Sequence, residues 1–207
     1  MLHSLSVMTG AAIHATDGVL GSVSNFFFDD LTWTVRYLVV DTGNWLARRN
    51  VLIAVTAVDQ PDWPKKVFPV HLTKEQVRHS PDVDTEKPVS RQQEIAMSRY
   101  FGWPTYWSVR VPSGRYTAQM EYPTDPGENP HLRSAWDVAG YRVWATDGEL
   151  GRLEDYVLDD AGWHLGYFIV ATGNWLNSQN LLISTRWAES ISWANGRVDL
   201  ASPRARV

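Results

Sequence analysis

Apolar and polar residues alternate along two stretches in the first part of the chain, and a period of two is typical of a β-strand with one covered face. The stretch that starts at Val19 is predicted to turn one set of side chains inward: Gly21, Val23, Asn25 and Phe27. The stretch from Trp33 to Asp41 has its own apolar face: Trp33, Val35, Tyr37 and Val39. Short apolar runs at 51–53 and 67–70 predict two further strands.

Turn signals separate these strands at close intervals. Asp17 and Gly18 are predicted to form a two-residue hairpin turn of type I′, because both central positions of that turn need a positive φ. Short strands with closely spaced turns, and no helix between them, indicate a small closed antiparallel barrel.

The whole pattern occurs twice. Residues 2–53 and 132–183 align without a gap at a constant offset of 130, and 22 of the 52 pairs are identical. The loop 42–46 returns intact as 172–176. A repeat of this length predicts a duplicated domain, because it is too long to be the unit of a solenoid or propeller.

The chain between the repeats follows another pattern. Capping boxes that start at Thr73 and Ser90 predict helices beginning near Lys74 and Arg91, and the second helix should end before Gly102. We therefore expect an all-β protein of two tandem small antiparallel barrels with a short helical segment between them. Its predicted parts are a first barrel (1–72), a helical and aromatic connector (73–110), a Pro- and Gly-rich linker (111–130), a second barrel (131–201) and a frayed tail (202–207).

Composition narrows the classes of function. A net charge of −4 and a pI near 5.8 give no basic field, which argues against direct nucleic-acid binding. Cysteine is absent, so the chain has no disulfide, no thiol nucleophile and no cysteine zinc site. No signal peptide is visible, and no apolar run approaches the roughly 20 residues that span a bilayer. We expect a cytoplasmic protein without a transmembrane segment.

The repeated residues also carry a resemblance to a known family. The first half resembles the PRC-barrel domain at Gly10, at 15–18 with Gly21, at 29–30 and at 33–43. The second half matches at 145–148, Gly151, Asp155, 159–160 and Trp163, and it departs at Gly166 and Ala171, where the first half has Arg36 and Asp41. PRC-barrel domains occur in the cytoplasmic part of the photosynthetic reaction centre H subunit and in the C-terminal half of a ribosome maturation factor. The resemblance implies a small β-barrel that serves as a protein-interaction module without enzymatic activity.

Aromatic residues are the candidate interaction residues. In the repeated loop they are Trp45 with Leu46 and Trp175 with Leu176, and in the connector they are Trp103 and Trp107. The loop residues either cap their own barrels or project as anchors for a partner. The connector residues either bind a partner or pack on the chain itself. We hypothesise that the barrels face each other with approximate two-fold symmetry and leave a groove near the Trp45 and Trp175 loops.

Asn25 and Asp155 are the candidate buried polar residues, because they hold equivalent positions on the face predicted to be inward. They either form a polar site or satisfy backbone donors at a neighbouring turn. The acidic pairs at 29–30 and 159–160 lack the spacing of a calcium loop and are interpreted as turns. The histidines lack metal-site spacing, and the chain contains none of the common catalytic or nucleotide-binding motifs. We therefore predict no catalytic, cofactor-binding or metal-binding residues.

These observations predict a non-catalytic scaffold or adaptor for a protein partner of unknown identity, and they are compatible with a homodimer. One alternative is a small-ligand-binding or enzymatic protein with a polar site near Asp155 and Asn25. A second alternative, by family analogy alone, is an assembly factor associated with the ribosome or with a photosynthetic membrane.

Overall fold

The computed structural model describes residues 1–83, 89–107, 131–173 and 179–206. The strands of the first half are β1 (Leu2–Ser4), β2 (Ala12–Ala15), β3 (Gly18–Asp29), β4 (Thr34–Asp41), β5 (Asn50–Ala54) and β6 (Val67–Pro69). Its helices are α1 (Leu5–Met8), α2 (Lys74–Arg78) and α3 (Arg91–Phe101). The second half contains β7 (Leu132–Ser134), α4 (Ala135–Val138), β8 (Arg142–Ala145), β9 (Gly148–Asp159), β10 (His164–Thr172), β11 (Gln179–Ser184), β12 (Ala188–Ser192) and β13 (Arg197–Leu200).

Within the described residues all thirteen strands belong to one sheet. Its longest hydrogen-bonded path is β12-β13-β8-β9-β10-β4-β3-β2-β6, and β1, β5, β7 and β11 pair with strands along that path. The path is open at both ends. The all-β class predicted from the sequence is therefore confirmed, whereas two separate closed barrels stay a prediction.

The prediction of purely antiparallel pairing was wrong for one strand pair in each half. β2 runs parallel to β6, with Ala12 opposite Val67, and β8 runs parallel to β13, with Arg142 opposite Arg197. Parallel neighbours need a long crossover, because a hairpin can join only antiparallel strands. In the first half β3, β4 and β5 lie between the two parallel strands in sequence and supply that crossover.

β-Bulges change the predicted faces of β3. Pairing with the neighbouring strands skips Leu20 and Ser24, and each extra residue reverses the alternation of side chains. Leu20 and Phe26, which the simple alternation places on a solvated face, are consequently buried in the main core. Phe27 is buried on the opposite side of the sheet.

A bulge at Arg36 divides the predicted single face of β4 in the same way. Val35 packs into the main core, while Tyr37 and Val39 belong to a separate cluster on the outer side. Both sides of β4 are therefore covered.

The hairpin at the start of β3 is present, but its predicted turn type was wrong. Ala15 pairs with Gly18, so the two loop residues are Thr16 and Asp17, and of the predicted pair only Gly18 has a positive φ, of 133°. The Asp17 carboxylate instead accepts the N–H of Lys74 at 2.8 Å. The hairpin thus holds the start of α2.

The end of the second half makes the equivalent contacts. The Asp147 carboxylate accepts the N–H of Arg204 at 2.8 Å, and the N–H of Thr146 donates to the Ser202 carbonyl at 3.1 Å. The positions Lys74 and Arg204 differ by the same offset of 130 that relates the two repeats. These contacts of residues 202–204 differ from the frayed tail that the sequence predicts.

One short strand of each half pairs with a long strand of the other half. β1 pairs with β9 of the second half, and β7 pairs with β3 of the first half. β4 and β10 meet at their first residues, where the N–H of Val35 donates to the Trp163 carbonyl at 2.8 Å and the N–H of Leu165 donates to the Trp33 carbonyl at 2.7 Å. These reciprocal pairs indicate an approximate two-fold relation between the halves.

The two halves also share one hydrophobic core. The ring of Phe28 lies 5.6 Å from that of Tyr156, and the ring of Trp33 lies 5.1 Å from that of Phe168. All four side chains belong to the same buried cluster. A core built from both halves compensates for the modest core that either small half would bury alone.

Both predicted helices begin where the sequence indicates, and α3 also ends before Gly102 as predicted. Thr73 and Ser90 form complete capping boxes at the starts of α2 and α3, and Gly102 ends α3 with a φ of 71°. None of the helices in the described part of the chain is long and apolar enough to cross a membrane.

Candidate interaction surface

The outer side of the first half's sheet is covered by α3. Six buried strand residues form the sheet side of this cluster; besides the small Ala54, the five larger ones are Phe27, Tyr37, Val39, Leu52 and Leu132. Met97 of α3 packs on them, with Phe101 and Trp103 at the end of the helix. The first half is therefore a three-layer structure of main core, sheet and helix.

A buried polar network fixes α3 on this face. Glu94 is 1% exposed and accepts hydrogen bonds from the hydroxyls of Tyr37, at 3.2 Å, and Tyr106, at 2.7 Å. The Arg91 guanidinium lies 3.0 Å from the Glu94 carboxylate and supplies the countercharge that a buried carboxylate needs. Burial, together with the charge of Glu94, raises the pKa of both the Tyr37 and the Tyr106 hydroxyl well above the ordinary value of 10.

The equivalent face of the second half is open to solvent. The residues that correspond to the covered five are Leu2, Val157, Tyr167, Ile169 and Leu182, and we call them the outer strip. Leu2 is 62% exposed, Leu182 is 58% exposed and Tyr167 is 36% exposed. No helix of the described residues lies over this face. Contiguous exposed apolar side chains of this kind mark protein-interaction sites.

Strand register makes the outer strip continuous. Tyr167 lies opposite Val157 on β9, and Ile169 lies opposite Leu182 on β11. Tyr167 and Ile169 are two residues apart on β10, so both pairs face the same side of the sheet. β1, which β9 receives from the first half, adds Leu2 at the edge.

Sequence reasoning did not find the outer strip, although a signal for it exists. The signal is the repeat itself, whose offset of 130 gives Leu2, Val157, Tyr167, Ile169 and Leu182 as the equivalents of residues that α3 covers. The bulges at Arg36 and Gly166 decide which residues share that face, and the sequence does not show these bulges.

Trp45, a candidate interaction residue, packs on its own half. Its indole N–H donates to the Leu20 carbonyl at 2.5 Å, its ring lies under the Lys74 ammonium at 4.7 Å, and Leu46 beside it also packs against the main core. Trp45 follows the end of β4 that lies away from β10. The groove hypothesised between the halves therefore does not lie beside Trp45. Trp175 and Leu176 lie outside the described residues.

The connector aromatics also pack on the chain itself. The ring of Trp103 stacks on Phe101 at 4.3 Å. The Arg91 guanidinium lies 4.1 Å above the ring of Trp107. Of the two uses weighed for these residues, the contacts of Trp103 and Trp107 are those of self-packing.

Asn25 and Asp155 each cap a helical turn that belongs to the other half. The Asp155 carboxylate accepts the N–H of Ser6 in α1 at 3.2 Å and also the hydroxyl of Ser4. The Asn25 amide accepts the N–H of Trp136 in α4 at 3.2 Å and donates to the Ser134 hydroxyl at 2.9 Å. Both side chains satisfy backbone donors that a helix start leaves open, while the N-cap residues themselves are Ser4 and Ser134.

A groove runs between α1 and α4, which are equivalent helices of the two halves. It has a volume of about 290 Å³, and both Asn25 and Asp155 line it. Its walls are largely apolar: Leu5, Phe26, Ala135, Ala139 and Tyr156. The exposed ring of Trp136 stands at the rim, where the first half has Ser6.

Within the described ranges, no three His, Asp or Glu side chains are grouped closely enough to hold a metal ion. Comparison of the chain with models of known protein families gives no match, and comparison with curated proteins gives none either. The resemblance to the PRC-barrel domain therefore stays a prediction from the sequence.

Proposed function

We propose that this protein is a non-catalytic scaffold or adaptor, built from two tandem PRC-like barrels, that binds a protein partner through the outer strip. The observation that carries the proposal is that Leu2, Tyr167 and Leu182 are exposed, whereas their equivalents in the first half are buried under α3. The resemblance to a family of interaction modules supports the same class of function.

The energetics favour a partner on this face. Covering a leucine side chain fully is worth about 1.5–3 kcal/mol, and the outer strip has two exposed leucines. A tyrosine beside them adds a ring and a hydroxyl, the combination that often dominates protein interfaces. Three such side chains on rigid, paired strands form a preorganised anchor at little entropic cost.

Site-specific photo-crosslinking in the cell of origin tests this proposal. A photoreactive phenylalanine analogue replaces Leu182, and in a matched protein it replaces Val19, which is 50% exposed but lies at the hairpin of the first half. We expect one discrete protein adduct at position 182 that is missing at position 19. No adduct at 182, or the same adducts at both positions, would contradict the proposal.

A small apolar ligand in the groove between α1 and α4 is the second candidate function. The apolar walls favour it, while the polar atoms of Asn25 and Asp155 already bind backbone groups. A thermal-shift screen tests this candidate with Ala139→Phe as the control, since the larger side chain would fill the groove. A ligand that shifts the melting temperature of both proteins equally is bound elsewhere.

Association with a ribosome or a photosynthetic membrane rests on the resemblance alone. Co-sedimentation with ribosomes that persists at high salt would favour the ribosomal alternative. High salt weakens electrostatic attraction to RNA, so persistent binding would indicate specific contacts of this acidic chain with the ribosome.

A further inference from the structure

We infer that the partner of the outer strip is an amphipathic α-helix that carries one carboxylate and one basic residue on its buried side. The inference rests on the proposed function and names the chemistry of the partner. Its basis is the helix that already occupies the equivalent surface in the same chain.

The covered and the bare face have matching side chains. Tyr167 corresponds to Tyr37, and Leu182 to Leu52. In the first half these side chains meet α3, an 11-residue helix that buries Arg91, Glu94 and Met97. Buried positions three residues apart recur along one side of a helix. A surface that keeps the tyrosine and both leucines at equivalent strand positions fits a helix with the same spacing.

The hydroxyl of Tyr167 accounts for the carboxylate. A partner that covers this ring must leave the hydroxyl with an acceptor, because an unsatisfied buried hydroxyl costs about 1–3 kcal/mol. In the first half Glu94 meets that need, since its carboxylate accepts from Tyr37 at 3.2 Å. A carboxylate at the same place on the incoming helix would accept from Tyr167.

Charge complementarity accounts for the basic residue. Asp29 in the first half is 1% exposed and lies 3.6 Å from the Arg36 guanidinium. The equivalent Asp159 is 48% exposed, and Gly166 replaces the arginine. The Met1 ammonium lies 3.6 Å from Asp159 but is itself largely exposed. A basic side chain on the incoming helix would therefore find an accessible carboxylate.

The size of the outer strip favours a helix over a second copy of the chain. A stable dimer buries about 800 Å² on each partner and uses roughly 20–30 residues a side. The outer strip has five side chains, whereas one helix of α3's length extends about 16 Å at 1.5 Å per residue and covers the equivalent five.

A peptide derived from α3 is the probe. We would synthesise residues 89–107 with a fluorophore and a lactam bridge between the exposed positions 92 and 96, because short isolated helices are marginally stable in water. Fluorescence anisotropy then follows its binding to the intact protein. We expect saturable binding that Leu182→Asp in the protein weakens at least about tenfold, as removal of a central anchor does.

A double-mutant cycle tests the carboxylate. Glu94→Gln in the peptide should weaken binding to the unaltered protein by about five- to tenfold, and it should have little effect on binding to the Tyr167→Phe protein. Leu182 lies only in the second half, so its substitution distinguishes the outer strip from displacement of the protein's own α3. Because Leu182 is exposed, its substitution should leave the fold intact, and circular dichroism of the variant checks this.

Three outcomes would overturn the inference: peptide binding that Leu182→Asp leaves unchanged, equal affinity of the unaltered and the Glu94→Gln peptides, or a protein dimer that Leu182→Asp dissociates in analytical ultracentrifugation. A protein crosslinked at position 182 without any peptide binding overturns the helix and leaves the proposed function standing. Absence of both a crosslinked partner and peptide binding overturns both.

Discussion

Asp155 and Asn25 occupy equivalent positions, and only one of them carries a charge. Both hold the first turn of a helix in the other half through a side-chain oxygen. We therefore expect Asp155→Asn to leave the free energy of unfolding within about 0.5 kcal/mol of the unaltered protein. Asp155→Ala removes the cap and should lower it by about 1–2 kcal/mol. Urea denaturation at neutral pH measures both.

The pair of variants also separates structure from chemistry at Asp155. An amide can accept the N–H of Ser6 but cannot exchange a proton as a carboxylate does. Equal destabilisation by Asn and Ala would mean that the charge itself matters, and would return attention to the groove between α1 and α4 as a site.

Position 21 requires glycine because the backbone of a neighbouring strand lies too close for any side chain. An added Cβ would lie 2.0 Å from the Asp41 carbonyl oxygen, and the φ of 157° is also unfavourable for other residues. Gly21→Ala should therefore lower the free energy of unfolding by about 2–3 kcal/mol. Gly162→Ala is the control, because its Cβ would meet no atom within 4 Å. Thermal denaturation of the two variants would contradict this account if their melting temperatures fell equally.

At the scale of elements, the α3 network makes stability sensitive to alkaline pH. Burial, and then the charge of Glu94, raises the pKa of Tyr37 well above 10 in the folded protein. The unfolded chain releases this proton near pH 10, so the stability is intact below pH 10 and is lost as the pH rises above it. The loss is at most about 1.4 kcal/mol per pH unit for each such tyrosine.

Urea denaturation between pH 9 and 11 checks this dependence. Tyr37→Phe should reduce the slope of unfolding free energy against pH by the contribution of one proton. Tyr100→Phe, at an exposed ring of the same helix, is the control. An unchanged slope in the Tyr37 variant would show that the Tyr37 hydroxyl is not the source of the pH dependence.

The sequence predicted single elements well where the signal is local. The capping boxes at Thr73 and Ser90 depend on residues three apart, and the strands at 51–53 and 67–70 depend on short apolar runs. The bulge at Arg36 was missed because one unpaired residue leaves almost no trace in composition. For the same reason the outer strip could not be assigned, although its residues were all part of the repeat.

At the scale of the whole molecule, the exchange of β1 and β7 is a choice between two similar pairings. Residues 2–4 and 132–134 share Leu and Ser at equivalent positions, so either segment could extend either long strand. Local pattern cannot decide between these partners. The structure adds a core shared by the two halves, in which Phe28 at the end of β3 meets Tyr156 of β9, and this contact is not visible in a short window of sequence.

Reciprocal proline substitutions test the exchange directly. Proline has no N–H and breaks a strand ladder, so His3→Pro should detach β1 and Arg133→Pro should detach β7. In His3→Pro, the amides of residues 157–159 in the second half should exchange hydrogen faster, and the exchange rates of residues 27–29 should not change. Arg133→Pro should do the opposite. Faster exchange at 27–29 in the His3 variant would mean that each half keeps its own strand, and Asp155 could then not cap α1 from the other half as the hydrogen bonds require.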